Sequence, residues 1–421
     1  MEPGSAYLLA SAVGAANTAN ARRPFARQGP GSLPSFATGA LTSELTLHTI
    51  ALQALATAAF ARRGALRTGA GKVGFALSVA SWANLVSQYR LGQRSADVLE
   101  EALLSELGAD YRSRMASICP AEQDPPLTRP QLALPRPGQR QRYAASIDLA
   151  YGDAGKRNLL DIWHRSDLAA DTKAPVIIQV HGGAWVLGEK ETQALPLLTR
   201  LAERGWVCVA INYRLSPRAT WPDHIADVKR AIAWVKDNIA DHGGDPNFVA
   251  ITGGSAGGHL SSLAALTAGD PSFQPGFEQA DTTLQAAVPM YGVYDFTNSD
   301  GTGRTDMTDF LEKYVFKVGM ADARDPWEQA SPMSRVGPDA PPFFIIQGTN
   351  DSLVPIEQGR AFADLLRKES DSPVVFAELP GAQHAFDVLG SVRATHTVRA
   401  MERFLAVAYG DYLLACEAAD R

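Results

Sequence analysis

The chain holds 421 residues, 46% of them hydrophobic and 20% charged, with a formal net charge of −6. This is the composition of an ordinary globular protein, long enough for a large core plus a second region, and no basic block in it suits a phosphate backbone, so nucleic acid is not an expected partner. The three cysteines, Cys119, Cys208 and Cys416, give neither metal-ligand spacing nor an even disulfide set.

Residues 1–44 are rich in Ala, Gly, Ser and Pro and include Arg22, Arg23 and Arg27. Ala6 to Ala15 is mildly apolar but has Glu2 where a secretory leader would be basic, so a signal peptide is not expected. Two uncharged runs follow, Leu45–Ala61 and Val73–Tyr89, each of 17 residues. As helices they would be about 26 Å long, short of a hydrocarbon core of roughly 30 Å. Arg62, Arg63, Arg67 and Lys72 lie in the Gly-containing turn between them, so the segment predicts a helical hairpin. Thr46, Thr49, Gln53 and Thr57 form a polar stripe on one run, and Ser78, Ser81, Asn84 and Gln88 on the other. Such stripes join helices inside a membrane, or mark the wet side of two cap helices on a soluble enzyme. Residues 45–89 are therefore a candidate for membrane association, and localisation stays open between cytoplasm and membrane.

Ser95 to Ala116 predicts an amphipathic helix, with Val98, Leu99, Leu103, Leu104 and Leu107 on one face. Pro125, Pro126, Pro130, Pro135 and Pro137 then read as a linker. The expected division is an N-terminal region, 1–142, and a larger second domain, 143–421. The second region opens on a hairpin, Ile147–Tyr151 with Leu159–Trp163, around a Gly-Asp-Ala-Gly turn. Strand-like runs then alternate with helix-like ones: Val176–Val180, Val207–Asn212, Phe248–Thr252, Ala286–Tyr291, Phe343–Gln347 and Val374–Glu378. Pro222–Ala240 and Ile356–Lys368 are among the helices between them. That rhythm predicts an α/β fold with a mostly parallel sheet covered on both faces. Residues 298–336 interrupt it with Phe310, Leu311, Tyr314, Val315, Phe316 and Trp327, which read as a lid whose aromatics mainly pack among themselves.

Within this frame, Gly253-Gly254-Ser255-Ala256-Gly257 sits between a strand and a helix, the setting of a nucleophile elbow. A serine hydroxyl needs a base, and the base needs an orienting acid. Of the two histidines beyond residue 259, His384 lies in a loop after a strand and His396 in a helical stretch, so His384 is the candidate base. Asp351, at the end of the strand Phe343–Gln347, is the candidate acid. Asp295 lies one strand too early, and Asp387 is too near His384 in sequence to orient it easily. Gly182, Gly183 and Ala256 are the expected oxyanion donors, His181 a structural residue of that loop, and Trp185 a pocket candidate. No metal or organic cofactor is implied.

Together, His181-Gly182-Gly183-Ala184, Gly253-Gly254-Ser255-Ala256-Gly257-Gly258, Gly348-Thr349-Asn350-Asp351 and Gln383-His384-Ala385-Phe386 resemble the α/β-hydrolase superfamily, and within it the hormone-sensitive-lipase-like carboxylesterases. The resemblance covers roughly residues 143–410. It departs from the family's His-Gly-Gly-Gly at Ala184 and from its Gly-Asp-Ser at Gly254. Ala184-Trp185 and Asn212-Tyr213-Arg214 are also similar to kynurenine formamidases and prenylcysteine methylesterases. The resemblance implies hydrolysis of a small-molecule or lipid ester through an acyl-enzyme. An arylformamidase-type amidase and a catalytically silent ligand-binding member are the rivals. A prolyl-oligopeptidase reading fails, since 142 residues cannot build a propeller.

Overall fold

The central strand-forming runs, 174–180, 207–211, 286–290 and 343–348, carry no charge and are buried throughout, as strands covered on both faces must be, whereas the first run, 144–150, carries Asp148 and has no buried residue. In the computed structural model, which describes residues 1–116, 127 and 138–419, the strands form one eight-stranded sheet. The strands are β1 Ala144–Ala150, β2 Leu159–Trp163, β3 Ala174–Val180, β4 Val207–Ile211, β5 Gly244–Gly254, β6 Ala286–Met290, β7 Phe343–Gly348 and β8 Val374–Leu379. Their order across the sheet is β1-β2-β4-β3-β5-β6-β7-β8. β2 runs antiparallel to both β1 and β4, and every other pairing is parallel. The proline-rich stretch and Cys119 lie outside the described residues.

Among the described residues four long helices precede the sheet: α1 Pro3–Arg22, α2 Ser32–Glu44, α3 Thr46–Arg62 and α4 Gly69–Leu107. Five long helices follow among its strands: α5 Leu195–Glu203, α6 Asp223–Asn238, α7 Ala256–Leu266, α8 Ile356–Glu369 and α9 Val392–Ala419. Side chains of α6, α7 and α8 pack on one face of the sheet, together with the lid. α5, α9 and the C-terminal end of α4 pack on the other, where Leu99, Leu103, Leu107 and Tyr111 meet Trp163, Trp206 and Phe404. The second run of the expected hairpin and the amphipathic helix expected over Ser95 to Ala116 are thus one continuous helix of 39 residues, which stops at Leu107, short of Ala116, where Gly108 takes a φ of 88°. The first half of α4 carries small residues and the second half leucines, so the sequence pattern changes while the backbone does not.

The polar stripes of α3 and α4 face inward. Thr46, Thr57, Ser78, Ser81 and Gln88 are buried, which excludes the reading of a wet outer side. Among the described residues no helix is long and apolar enough to cross a membrane.

Candidate active site

β5 ends at Gly254, α7 begins at Ala256, and Ser255 between them is held at φ 58°, ψ −121°. A non-glycine residue is rarely found there, and the cost is of order 1–3 kcal/mol. The flanking glycines make the turn fit: a Cβ on Gly253 would lie 2.5 Å from the Gly257 backbone, and one on Gly257 would lie 2.1 Å from the Val180 carbonyl oxygen. Ser255 N–H donates to the Met290 carbonyl at 3.0 Å, which ties the elbow to β6.

The loop after β8 carries His384, and the loop after β7 carries Asp351. His384 Nδ1 lies 2.7 Å from Asp351 Oδ2. Asp351 is fixed in turn: its Oδ1 accepts the Leu353 and Val354 N–H groups, each at 2.8 Å, and its Oδ2 accepts Gln347 Nε2 at 3.1 Å. Both residues of the pair are buried, and His384 and Ser255 line the same cavity of about 510 Å³. Asp295 accepts the N–H groups of Thr297 and Ser299, and Asp387 accepts the Tyr291 hydroxyl, so neither rival acid engages His384. Burial raises the Asp387 carboxyl above the ordinary range. His396 lies on α9.

The oxyanion loop differs from expectation at one donor. Gly182 N–H donates to Gln193 Oε1 at 2.8 Å, so it is already engaged. The N–H groups of Gly183, Ala184 and Ala256 take no partner among the described residues. Gly183 and Ala184 have φ of 127° and 51°, and Ala184 lines the cavity. His181 is buried, donates from Nδ1 to the Gly182 carbonyl at 2.9 Å and stacks on Tyr213 at 4.3 Å. Burial pulls its pKa down to about 4, so it stays neutral.

Trp185 lines the cavity, and its indole N–H donates to His259 Nδ1 at 3.1 Å. His259 Nε2 then donates to the Ala330 carbonyl of the lid at 2.8 Å. The lid divides as its composition suggests: Trp327 stacks on Phe316 at 4.1 Å inside it, while Met307, Phe310 and Leu311 face the cavity.

Comparison with known proteins gives the family and the activity class. The BD-FAE family matches residues 160–366. Over 404 residues the chain is 50% identical to the probable carboxylic ester hydrolase LipM of Mycobacterium tuberculosis (strain ATCC 25618 / H37Rv), covering 96% of this chain and 93% of that one. The chain belongs to the α/β-hydrolase carboxylesterases. It is likewise 50% identical over 320 residues to esterase LipQ of the same organism, covering 76% of each. Among solved structures, butyrate-bound esterase Est2 of Thermogutta terrifontis matches with a TM-score of 0.52 at 25% identity, covering 61% of this chain and 91% of that one. The chain is a carboxylic ester hydrolase.

Two features of this esterase were not read from its sequence. A Cβ at Gly254 would come within 2.5 Å of Tyr291 Oη, so there is no room for the family's aspartate at that position. The second is the contribution of the N-terminal helices. Gly29, Pro30, Ser32 and Leu33 line the cavity, and Phe36 packs edge-on to His384 at 5.8 Å. Asn350, next to Asp351, donates to the Ala21 and Arg22 carbonyls at the end of α1 at 3.1 and 2.9 Å. Gly29 N–H donates to Asp306 of the lid at 2.7 Å. Buried Glu44 pairs with buried Arg393 and accepts from Ser391. The advance signal for residues 1–44 was only a composition rich in Ala, Gly, Ser and Pro, which assigns no element.

Proposed function

We propose that Ser255, His384 and Asp351 form the catalytic triad and that Gly183, Ala184 and Ala256 hold the oxyanion, Gly182 being replaced by Ala184. His384 takes the Ser255 proton as the hydroxyl attacks the ester carbonyl, and it returns the proton to the leaving alcohol. Asp351 keeps His384 in the tautomer with hydrogen on Nδ1 and stabilises its cation. Water, activated by His384, then releases the acid from the acyl-enzyme. The N–H groups stabilise the negative oxygen of both tetrahedral intermediates, each typically worth on the order of 100-fold or more in rate. The observation that carries the assignment is the buried 2.7 Å contact of His384 with Asp351, opening on the cavity that also contains Ser255.

The same reasoning extends to the substrate. The cavity of about 510 Å³ is walled by Trp185, Val293, Phe296, Met307, Phe310 and Leu311. Such a wall excludes water and rewards apolar chains, at about 0.8 kcal/mol for each buried methylene. The ester is therefore one with an extended apolar acyl group, presented from a lipid surface. The test is a chain-length series of p-nitrophenyl esters on wild type and Ser255→Ala. Rising kcat/KM with chain length and an inert variant support the proposal. Turnover retained in Ser255→Ala would reject the mechanism, and a preference for acetate would reject the substrate class.

A further inference from the structure

Helices that pack in water bury their apolar stripe and expose their polar one. The N-terminal layer does the reverse. In the first half of α4 the buried positions are Gly71, Gly74, Ser78, Ser81, Leu85 and Gln88, alternating by three and four. α1 answers with Gly4, Tyr7, Ser11 and Thr18 on the same repeat. Hydroxyl hydrogen bonds run between the helices: Tyr7 to Thr57 at 2.9 Å and to Ser78 at 3.0 Å, Ser78 to Ser11 at 3.1 Å, and Thr18 to Ser81 at 2.7 Å. The small seam lets backbones approach closely, and its hydroxyls bond one another inside.

What remains outside is apolar. Leu9 and Val13 of α1, Leu52 and Leu55 of α3, and Phe75 and Val79 of α4 are exposed, with Leu52 and Leu55 at 69% and 71%. The alanines between them are also exposed, and no charged residue interrupts 3–21, 45–61 or 73–89. Large apolar side chains left exposed on three helices that contact one another mark a candidate interaction site.

Charge identifies the partner. Residues 1–96 hold nine Lys and Arg and only two acids, one of which, Glu44, is consumed by Arg393. The whole chain has 39 basic and 45 acidic residues, so the acidic excess lies entirely in the remainder. Arg62, Arg63, Arg67 and Lys72 gather at one end of the apolar face, and Arg22, Arg23 and Arg90 are at or beyond the other ends of these runs.

We propose that the outer face of α1, α3 and α4 docks on an anionic lipid bilayer, its apolar side chains entering one leaflet and its basic ends meeting the headgroups. None of these helices crosses the bilayer. A second copy of the chain would bring one basic layer against another, which the charge disfavours. The proposal rests on the lipid-ester reading in one respect: Pro30 and Leu33 of this same layer form part of the cavity wall, so docking holds the pocket near its substrate.

The test is co-sedimentation of the full chain with vesicles of phosphatidylcholine alone or with one-quarter phosphatidylglycerol. The anionic vesicles are expected to bind more tightly, by roughly fivefold for each basic side chain held near the surface, with the advantage fading as salt rises. Leu52→Glu with Leu55→Glu should reduce binding to background while solution hydrolysis of p-nitrophenyl butyrate is unchanged. Absence of binding by wild type, or undiminished binding by the double variant, would overturn the proposal. Wild-type dimers that the double variant dissolves, without vesicle binding, would assign the face to a second copy instead. Vesicle binding alongside a preference for short esters would reject the lipid substrate and leave the docking surface standing.

Discussion

Replacing His259 by leucine tests how the elbow helix, the oxyanion loop and the lid are tied together. His259 is fully buried and bonded at both ring nitrogens, accepting from Trp185 and donating to Ala330. Leucine fills similar space but strands two buried polar groups, the Trp185 indole N–H and the Ala330 carbonyl. Each such orphan costs about 1–3 kcal/mol, so His259→Leu should lower the unfolding free energy at pH 7 by about 2–6 kcal/mol. A second, pH-dependent effect has the opposite sign. Burial pulls the His259 pKa down to about 3, against 6.5 in the unfolded chain. The unfolded state therefore binds a proton that the folded state refuses. The stability from a neutral His259 is fully present above pH 6.5 and is lost as pH falls from there toward 3. By pH 5 the wild type should have lost about 2 kcal/mol through this group alone, and the leucine variant none of that share. Urea titrations of both proteins at pH 7 and pH 5 should show a gap that narrows by about 2 kcal/mol at the lower pH. A gap that does not change between the two pH values would refute the buried neutral imidazole. A gap near zero at pH 7 would refute the two hydrogen bonds.

Asp351→Asn should leave the fold intact and lower kcat about ten-thousand-fold, because the amide no longer selects the productive His384 tautomer; steady-state kinetics on p-nitrophenyl butyrate measures it. Gly183→Ala would place a Cβ 2.0 Å from the Leu187 carbonyl oxygen at a φ of 127°. The loop must move, and kcat should fall about 100-fold with KM little changed; a variant with wild-type kcat would remove Gly183 from the oxyanion site. Glu44→Gln leaves the Arg393 charge buried and unpaired between α2 and α9, and should cost about 3–5 kcal/mol in chemical denaturation. An unchanged midpoint would mean that the N-terminal layer contributes little to the stability of the sheet domain.

The candidate site was legible in the sequence because each segment proposed to carry it places demands on its own backbone. The elbow needs glycines around Ser255, the oxyanion loop needs them after β3, and the acid and base follow strands that must be apolar on both faces. Those requirements leave local patterns, so the α/β fold, its eight strands and the candidates Ser255, Asp351 and His384 could be read in chain order. Other features depend on partners far away in the chain. Gly182 resembles Gly183 until Gln193 occupies its N–H, and the departure at Gly254 has no physical reason until Tyr291 fills the space above it. The N-terminal helices were the least legible part. The polar stripes of residues 45–89 left two readings open, helices joined through them or a wet outer side, and only the packing shows small and hydroxyl residues facing inward. Only their packing against one another, and over His384 and Asp351, decided that residues 1–44 complete the site instead of trailing from it.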